Sequence, residues 1–485
     1  VNPTAITDLY AYNNLCLING KWVSAEDQRT IPVTNPFNNA WLAEIPCLTS
    51  HQIDEAIEAA QKAYAGWKAT PPSARREVLH GWKSIILDNI EDISKILVHE
   101  QGKPYAEAVG ELQYSLSYID YYADEAIRTY GEIIPSPFLN AEISVVKEPI
   151  GVVGIIAPWN FPTTMFVRKI APCLAAGCTC VLKPDERTPL SAFALLKLAV
   201  EAGFPAGVIN CVTGDAEAIG SALCASRVVK KISFTGSIAV GKQLMRESSH
   251  TVKKLTLELG GNAPFLVFED ANIDNSVNGL MAAKFRNAGQ TCVAANRIYI
   301  HSAVYRQFIE VLLERMAKLK MGNGMDPDVS IGPIIDSRAM ARLESYVQRS
   351  IAQGAKVIYG GAKWEENSNF YKPTVIVDVS DDMPVMSCEV FGPIVSISKF
   401  NSDDEVLVRA NNTMYGLACY LYTENIKRIS RFKQELQYGM IGVNTGVISS
   451  AVIPFGGIKE SGFGREGARQ GIDEYLVLKY ICLQN

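Results

Sequence analysis

Between about Val145 and Ser276 short apolar runs alternate with longer amphipathic ones. "VVGIIAP", "CTCVLKP", "VINCV", "KKISFTG", "KKLTLELGG" and "APFLVF" read as strands. "TTMFVRKIAPCLAA", "LSAFALLKLAVEA", "AEAIGSALCAS" and "AVGKQLMRES" read as the helices between them. Strand-helix alternation of this kind predicts parallel strands with helices on both faces, an α/β doubly wound sheet. A second alternating block runs from about Asn278 to Ile453, with strands near "RIYIH", "KVIYGG", "TVIVDV", "IVSISKF" and "ACYLYT". The N-terminal region carries a "CLINGKWV" hairpin signal and then amphipathic helices, the first of which should end near Pro71-Pro72. Neither an internal repeat nor a low-complexity linker separates the blocks, so interleaved domains are expected.

Composition removes several classes of function. The chain is 48% hydrophobic and 20% charged over 485 residues, enough for a sizeable core without disulfides or metal. A net charge of -5 and the absence of dense basic runs exclude nucleic acid as an expected partner. No apolar segment reaches the roughly 20 residues of a bilayer span, and "VNPTAITDLY" lacks the regions of a secretory signal. The expected compartment is the cytosol. Eleven cysteines occur without a CxxC pair, and the Cys173, Cys178, Cys180 group has no His at ligand spacing, so no metal site is expected.

Two glycine motifs fail on inspection. "GSIAVGKQ" matches a P-loop until Gln243, where magnesium needs Ser or Thr, and "GFGREG" near the C-terminus has no βαβ unit after it. The informative residues stand at predicted strand ends: "PWNFP" (Pro158 to Pro162), "KPDE" (Lys183 to Glu186), "FTGS" (Phe234 to Ser237) and "ELGG" (Glu258 to Gly261). In a doubly wound sheet all four share the ligand-binding edge. Taken singly, each has a plain structural reading: Asn160 as a turn residue, Glu258 as a strand-end carboxylate, "KPDER" as a solvated charge cluster, and Cys292 as one small buried residue among eleven cysteines.

Together with "LINGKW", "EQGKP", "FRNAGQTC", "EVFGP" and "PFGGIKESGFGREG", these motifs resemble the aldehyde dehydrogenase superfamily nearly end to end. Within it, "FRNAGQTCVAANR", "NTGVISS" and "EYLVLKY" are most similar to succinate-semialdehyde dehydrogenases. The resemblance implies Cys292 as nucleophile, Glu258 as general base and Asn160 as oxyanion donor. It implies a cofactor site of Trp159, Lys183, Pro184, Asp185, Glu186, Gly236, Ser237, Leu259, Glu389 and Phe391. Because Glu186, aided by Asp185, should repel a 2′-phosphate, NAD is expected as the preferred cofactor, with NADP possible. Arg168, Arg286 and Ser449 match positions that bind the substrate's far carboxylate. Ala294 stands where some relatives carry a second cysteine, so no disulfide switch involving Cys292 is expected.

The resemblance also implies an organisation. Residues 1–126 and 147–258 form the NAD-binding domain, 259–458 the α/β catalytic domain, and 127–146 with 459–485 a small β oligomerisation arm that makes a homodimer or homotetramer. The implied reaction oxidises succinate semialdehyde to succinate. Alternatives are another carboxylated aldehyde, such as glutarate or 2-oxoglutarate semialdehyde, and a non-redox thiol esterase. None of the five histidines falls in a matching motif, against a Cys-His hydrolase.

Overall fold

A computed structural model describes residues 14–366 and 368–484. The N-terminal stretch "VNPTAITDLY" and the first thirteen residues of the expected NAD-binding domain lie outside the described residues. Two large sheets organise the molecule. In the first, Lys254–Glu258, Val229–Thr235, Val152–Ile156, Thr179–Lys183 and Ile209–Cys211 are parallel neighbours in that order. The antiparallel hairpin Cys16–Ile18/Lys21–Val23 extends one edge, and Gly462–Phe463 closes the other. All five parallel strands therefore end their carboxyl termini on one side, where ligands of such sheets bind.

The second sheet has seven strands, with Ala263–Val267 and Ala295–His301 at its centre. It is parallel except for the Lys356–Tyr359 edge. A third, antiparallel sheet joins Leu476–Gln484 to Ala141–Pro149 and Glu132–Ile134. Among the described residues no helix is long and apolar enough to cross a membrane.

Near the C-terminus, Gly462 and Phe463 pair with Glu258 and Leu257 in the first sheet, and the strand of the third sheet begins at Leu476. Glycine makes this possible: Gly462 has φ +113°, and a Cβ there would collide with the Leu257 carbonyl oxygen.

The helix Pro162–Ala176 links fold to chemistry. Pro162 sits in its first turn, where its missing N–H costs nothing, and Gly177 ends it in the left-handed region at φ +93°. Every one of its residues is buried, Arg168 and Lys169 included. Two charges inside a dry helix require partners. The returning loop after Gly462 supplies one, the carboxylate of Glu466.

Candidate active site

Cys292 follows a turn held in costly backbone geometry. Asn287 and Ala288 have φ +52° and +53°, and Gly289 follows at +76°. Non-glycine residues there cost about 1–3 kcal/mol each, so the surroundings must fix the turn. Glu107 accepts from the Asn287 N–H at 2.7 Å. Gln290 accepts from the Ile335 N–H at 3.0 Å and donates to the Pro333 carbonyl at 3.1 Å. A Cβ on Gly261 would collide with the Cys292 carbonyl oxygen, so only glycine lets the loop lie against this strand end.

Asn160 lies beyond the end of Val152–Ile156 and is buried. Its Nδ2 donates to the Gln290 carbonyl at 3.1 Å, and its own carbonyl accepts from Lys103 Nζ and Asn287 Nδ2, both at 2.9 Å. The side-chain amide is thereby tied to the loop that carries Cys292. Glu258 closes its own strand, 2% exposed, and neither of its carboxylate oxygens has a hydrogen-bond partner. The sequence thus places three residues far apart along the chain, and the fold brings them to one place.

Two cavities meet at Cys292. The larger, about 710 Å³, is a groove along the first sheet's carboxyl edge, lined by Trp159, Lys183, Asp185, Glu186, Gly236, Ser237, Leu259, Glu389 and Phe391. Pro184 touches it indirectly, its carbonyl accepting from Lys183 Nζ at 3.1 Å. Its chemistry fits a dinucleotide. Ser237 caps Val240 at 3.3 Å and opens the helix Ile238–Ser248, whose other first-turn N–H groups are left for an anion. Further along, Glu389 accepts from the Gly261 N–H at 3.0 Å, and Phe391, at φ +50°, meets Trp159 edge to face at 5.6 Å.

The smaller cavity, about 250 Å³, is walled by Phe161, Met165, Arg168, Arg286, Ser449 and Phe455, with Cys292 at its floor. The guanidinium of Arg286 stacks over Phe161 at 5.0 Å. Arg168 is occupied differently: its Nε is ion-paired with Glu466, its Nη2 donates to Met165 Sδ at 3.2 Å, and it lies over Phe455 at 4.2 Å. Arg286 and Ser449 also border a further chamber of about 370 Å³ on the cavity's far side.

Burial dominates the electrostatics. It pushes the Cys292 thiol up to about 12, with Arg168 and Arg286 acting the other way. Glu258 is raised well above the usual carboxylate range by burial and then by Glu466, against Arg168, Lys169 and Arg465. Burial lifts Glu389 to about 7. Sequence reasoning missed Glu107, Gln290, Lys169 and Glu466. Gln290 stands inside "FRNAGQTC", and the last two left a trace as adjacent cations in an apolar helix and an acidic residue in the "GFGREG" loop.

Comparison with known proteins agrees with this geometry. Residues 22–481 match the model of the aldehyde dehydrogenase family. The chain is 45% identical to the Escherichia coli succinate-semialdehyde dehydrogenase [NADP(+)], covering 99% of both chains. It is 48% identical to a probable succinate-semialdehyde dehydrogenase [NADP(+)] of Sinorhizobium fredii, covering 95% of this chain and 94% of the relative. A Pseudomonas putida 3-sulfolactaldehyde dehydrogenase is 48% identical, covering 96% of each. The crystal structure of an E. coli NADP-dependent enzyme superposes with a TM-score of 0.97 at 45% identity over 99% of both chains.

These relatives overturn the expected preference for NAD, since two of them are named for NADP(+). The structure supplies a physical reason. The Glu186 carboxylate that should repel a 2′-phosphate is paired with Lys183 Nζ at 2.9 Å, and Asp185 is paired with Arg187 at 2.8 Å. Each negative charge already has a cation beside it, so the net repulsion read from the sequence is largely cancelled. With its family model, its relatives, two interleaved sheets and a cysteine between two cavities in agreement, the chain belongs to the aldehyde dehydrogenase family of NAD(P)-dependent oxidoreductases.

Proposed function

We propose that the protein oxidises an aldehyde bearing a distant anionic group, with succinate semialdehyde the favoured substrate, and reduces NAD(P) in doing so. One observation carries this reading: Cys292 stands between a dinucleotide-shaped groove and a small apolar cavity with a guanidinium, Arg286, in its wall. The names of the relatives support it, for two act on succinate semialdehyde and the third on a sulfonated aldehyde.

The residues act in sequence. Cys292 gives its thiol proton to water, the sulfur attacks the aldehyde carbon, and the resulting oxyanion takes hydrogen bonds from Asn160 Nδ2 and the Cys292 N–H. A nicotinamide held in the groove would accept the hydride that the adduct expels in becoming a thioester. Glu258 then removes a proton from water, which attacks the thioester carbon; the carbon–sulfur bond breaks, and the carboxylic acid leaves. Arg168, Arg286 and Ser449 hold the substrate's far carboxylate, while Phe161 and Phe455 exclude water around its chain. Lys183, Glu186, Ser237, Glu389 and Phe391 hold the dinucleotide, with NADP accepted.

The arm supports a homodimer or a dimer of dimers. Leu478, Tyr480, Leu483 and Ile133 are exposed on a three-stranded sheet with free edges, a surface that a second copy would cover. All eleven cysteines are free thiols, which suits a reducing cytosol.

The substrate reading is tested by kcat/KM for succinate semialdehyde and butanal, each with NAD and NADP, in the wild type and Arg286→Ala. A charge-assisted anchor predicts a loss of about 10- to 150-fold on the semialdehyde and little change on butanal. Equal losses on both aldehydes would overturn it.

A further inference from the structure

Lys103 is buried and lines neither of the two cavities that meet at Cys292. A buried ammonium needs partners. Lys103 Nζ pairs with Glu111, donates to the Asn160 carbonyl at 2.9 Å and lies over the Phe161 ring at 4.0 Å. The other oxygen of Glu111, Oε1, accepts from the Thr163 N–H at 2.9 Å, the Thr163 hydroxyl at 2.7 Å and the Thr164 N–H at 3.2 Å. It thereby satisfies the first turn of the helix Pro162–Ala176. One ion pair holds the chain on both sides of Phe161.

Glu111 stands on the helix Tyr105–Ala126, four residues after Glu107 and on the same face. Glu107 accepts from the Asn287 N–H at 2.7 Å and so holds the loop of Cys292. Two carboxylates one helical turn apart therefore fix the two segments that must face each other, one carrying Asn160 and the other the sulfur. Asn287 Nδ2 ties these segments directly, donating to the same Asn160 carbonyl at 2.9 Å. The Asn160 side chain uses one Nδ2 proton on the Gln290 carbonyl at 3.1 Å, which leaves a second for an oxyanion. Where that proton points depends on how the backbone of Asn160 is held. Of the two hydrogen bonds to its carbonyl, the one from the Lys103 ammonium is charge-assisted and the stronger.

We propose that Lys103 is a positioning residue for Asn160: backed by Glu111, it fixes the Asn160 carbonyl so that the free N–H of the side-chain amide meets the oxyanion formed at the aldehyde carbon. This rests on the reading of Asn160 as the oxyanion donor. That reading is checked first, since Asn160→Ala must slow the burst of reduced nicotinamide seen on rapid mixing of enzyme, NADP and aldehyde. An unchanged burst would overturn the donor reading itself, and any positioning role with it.

With the donor established, Lys103→Met should slow the burst by about 10- to 100-fold. The loss should be equal with succinate semialdehyde and butanal, because both present the same carbonyl oxygen, and the affinity for NADPH, read by fluorescence titration, should be unchanged. The test that separates positioning from general support is the double variant Lys103→Met/Asn160→Ala. If Lys103 acts through Asn160, this variant should be slower than Asn160→Ala alone by about twofold or less. Losses that multiply would show that Lys103 acts on something other than Asn160 and would overturn the proposal. A loss confined to the semialdehyde would place the effect on the carboxylate anchor, and a matching loss of NADPH affinity would show general disorder; either would overturn it too. Should Lys103→Met not fold, Lys103→Met/Glu111→Gln leaves no buried charge unpaired, while the glutamine carbonyl can still accept from Thr163 and Thr164. The same outcomes are then read from it, with and without Asn160→Ala.

Discussion

The groove proposed for the dinucleotide and the cavity proposed for the substrate share Cys292 but use charge in opposite ways. In the groove the ion pairs are open to water: Lys183–Glu186 is 5% and 37% exposed, and Arg187–Asp336 is 32% and 23%. In the cavity walls Arg168–Glu466 is 1% and 4% exposed, and Lys103–Glu111 is fully buried. Solvent screens the first kind to about 0–1 kcal/mol, whereas breaking a buried pair costs about 3–5 kcal/mol. Recognition in the groove is therefore spread over many weak contacts and backbone N–H groups. Chemistry in the cavity hangs on single side chains.

The largest effect should fall where the two regions meet. Cys292→Ala removes the sulfur reached from both sides, so aldehyde-dependent formation of reduced nicotinamide should fall by about 10⁴-fold or more. Binding of the reduced dinucleotide, followed by fluorescence titration, should be unchanged, because the groove does not depend on the sulfur. A parallel loss of binding would break the separation of the two regions. In the wild type the raised thiol, at about 12, predicts that alkylation by iodoacetamide accelerates about tenfold per pH unit between pH 7 and 10.

This contrast also explains what could be read from the sequence. The groove was legible because it is made of strand ends: apolar runs locate the strands, and "KPDE", "FTGS" and "ELGG" fall at their carboxyl edge. The family motifs around Cys292, Asn160 and Glu258 single out three residues that line one groove. The walls of the cavity were not legible. Glu466 pairs with Lys169 across 297 residues of chain, and Glu107 meets Asn287 across 180. No local periodicity encodes such pairings, which form because burial leaves each charge or N–H only the groups packed against it as partners. The return of the chain to the first sheet at Gly462 and Phe463, which delivers Glu466, has the same origin. The error over NAD was of another sort. As bare charges Glu186 and Asp185 would repel a 2′-phosphate, but Lys183 and Arg187, in the same short motif, fold onto them.

Glu258→Gln comes next in size and sharpens the cavity's side of the comparison. Acyl-enzyme decay should fall by about 10²- to 10⁴-fold, with a burst of one equivalent of reduced nicotinamide remaining in rapid mixing. The direction with pH follows from the raised carboxyl: as the proposed base Glu258 acts only when ionised, so wild-type decay should be fast above its elevated value and lost as pH falls through it. An unbuffered rate, flat from pH 6 to 10, would mean that burial does not control this group.

The smallest effect belongs to the groove and tests its compensation of charge. Glu186→Gln removes a carboxylate that is 37% exposed and paired with Lys183 at 2.9 Å. If the pair is screened as its exposure implies, the change in the ratio of kcat/KM for NADP to that for NAD should be about fivefold or less, favouring NADP because Lys183 is released toward a 2′-phosphate. A shift of about a hundredfold would mean that the Glu186 charge acts unscreened on the ribose, as a buried charge would. The groove would then obey the same electrostatics as the cavity, and the difference between the two regions would reduce to their shapes.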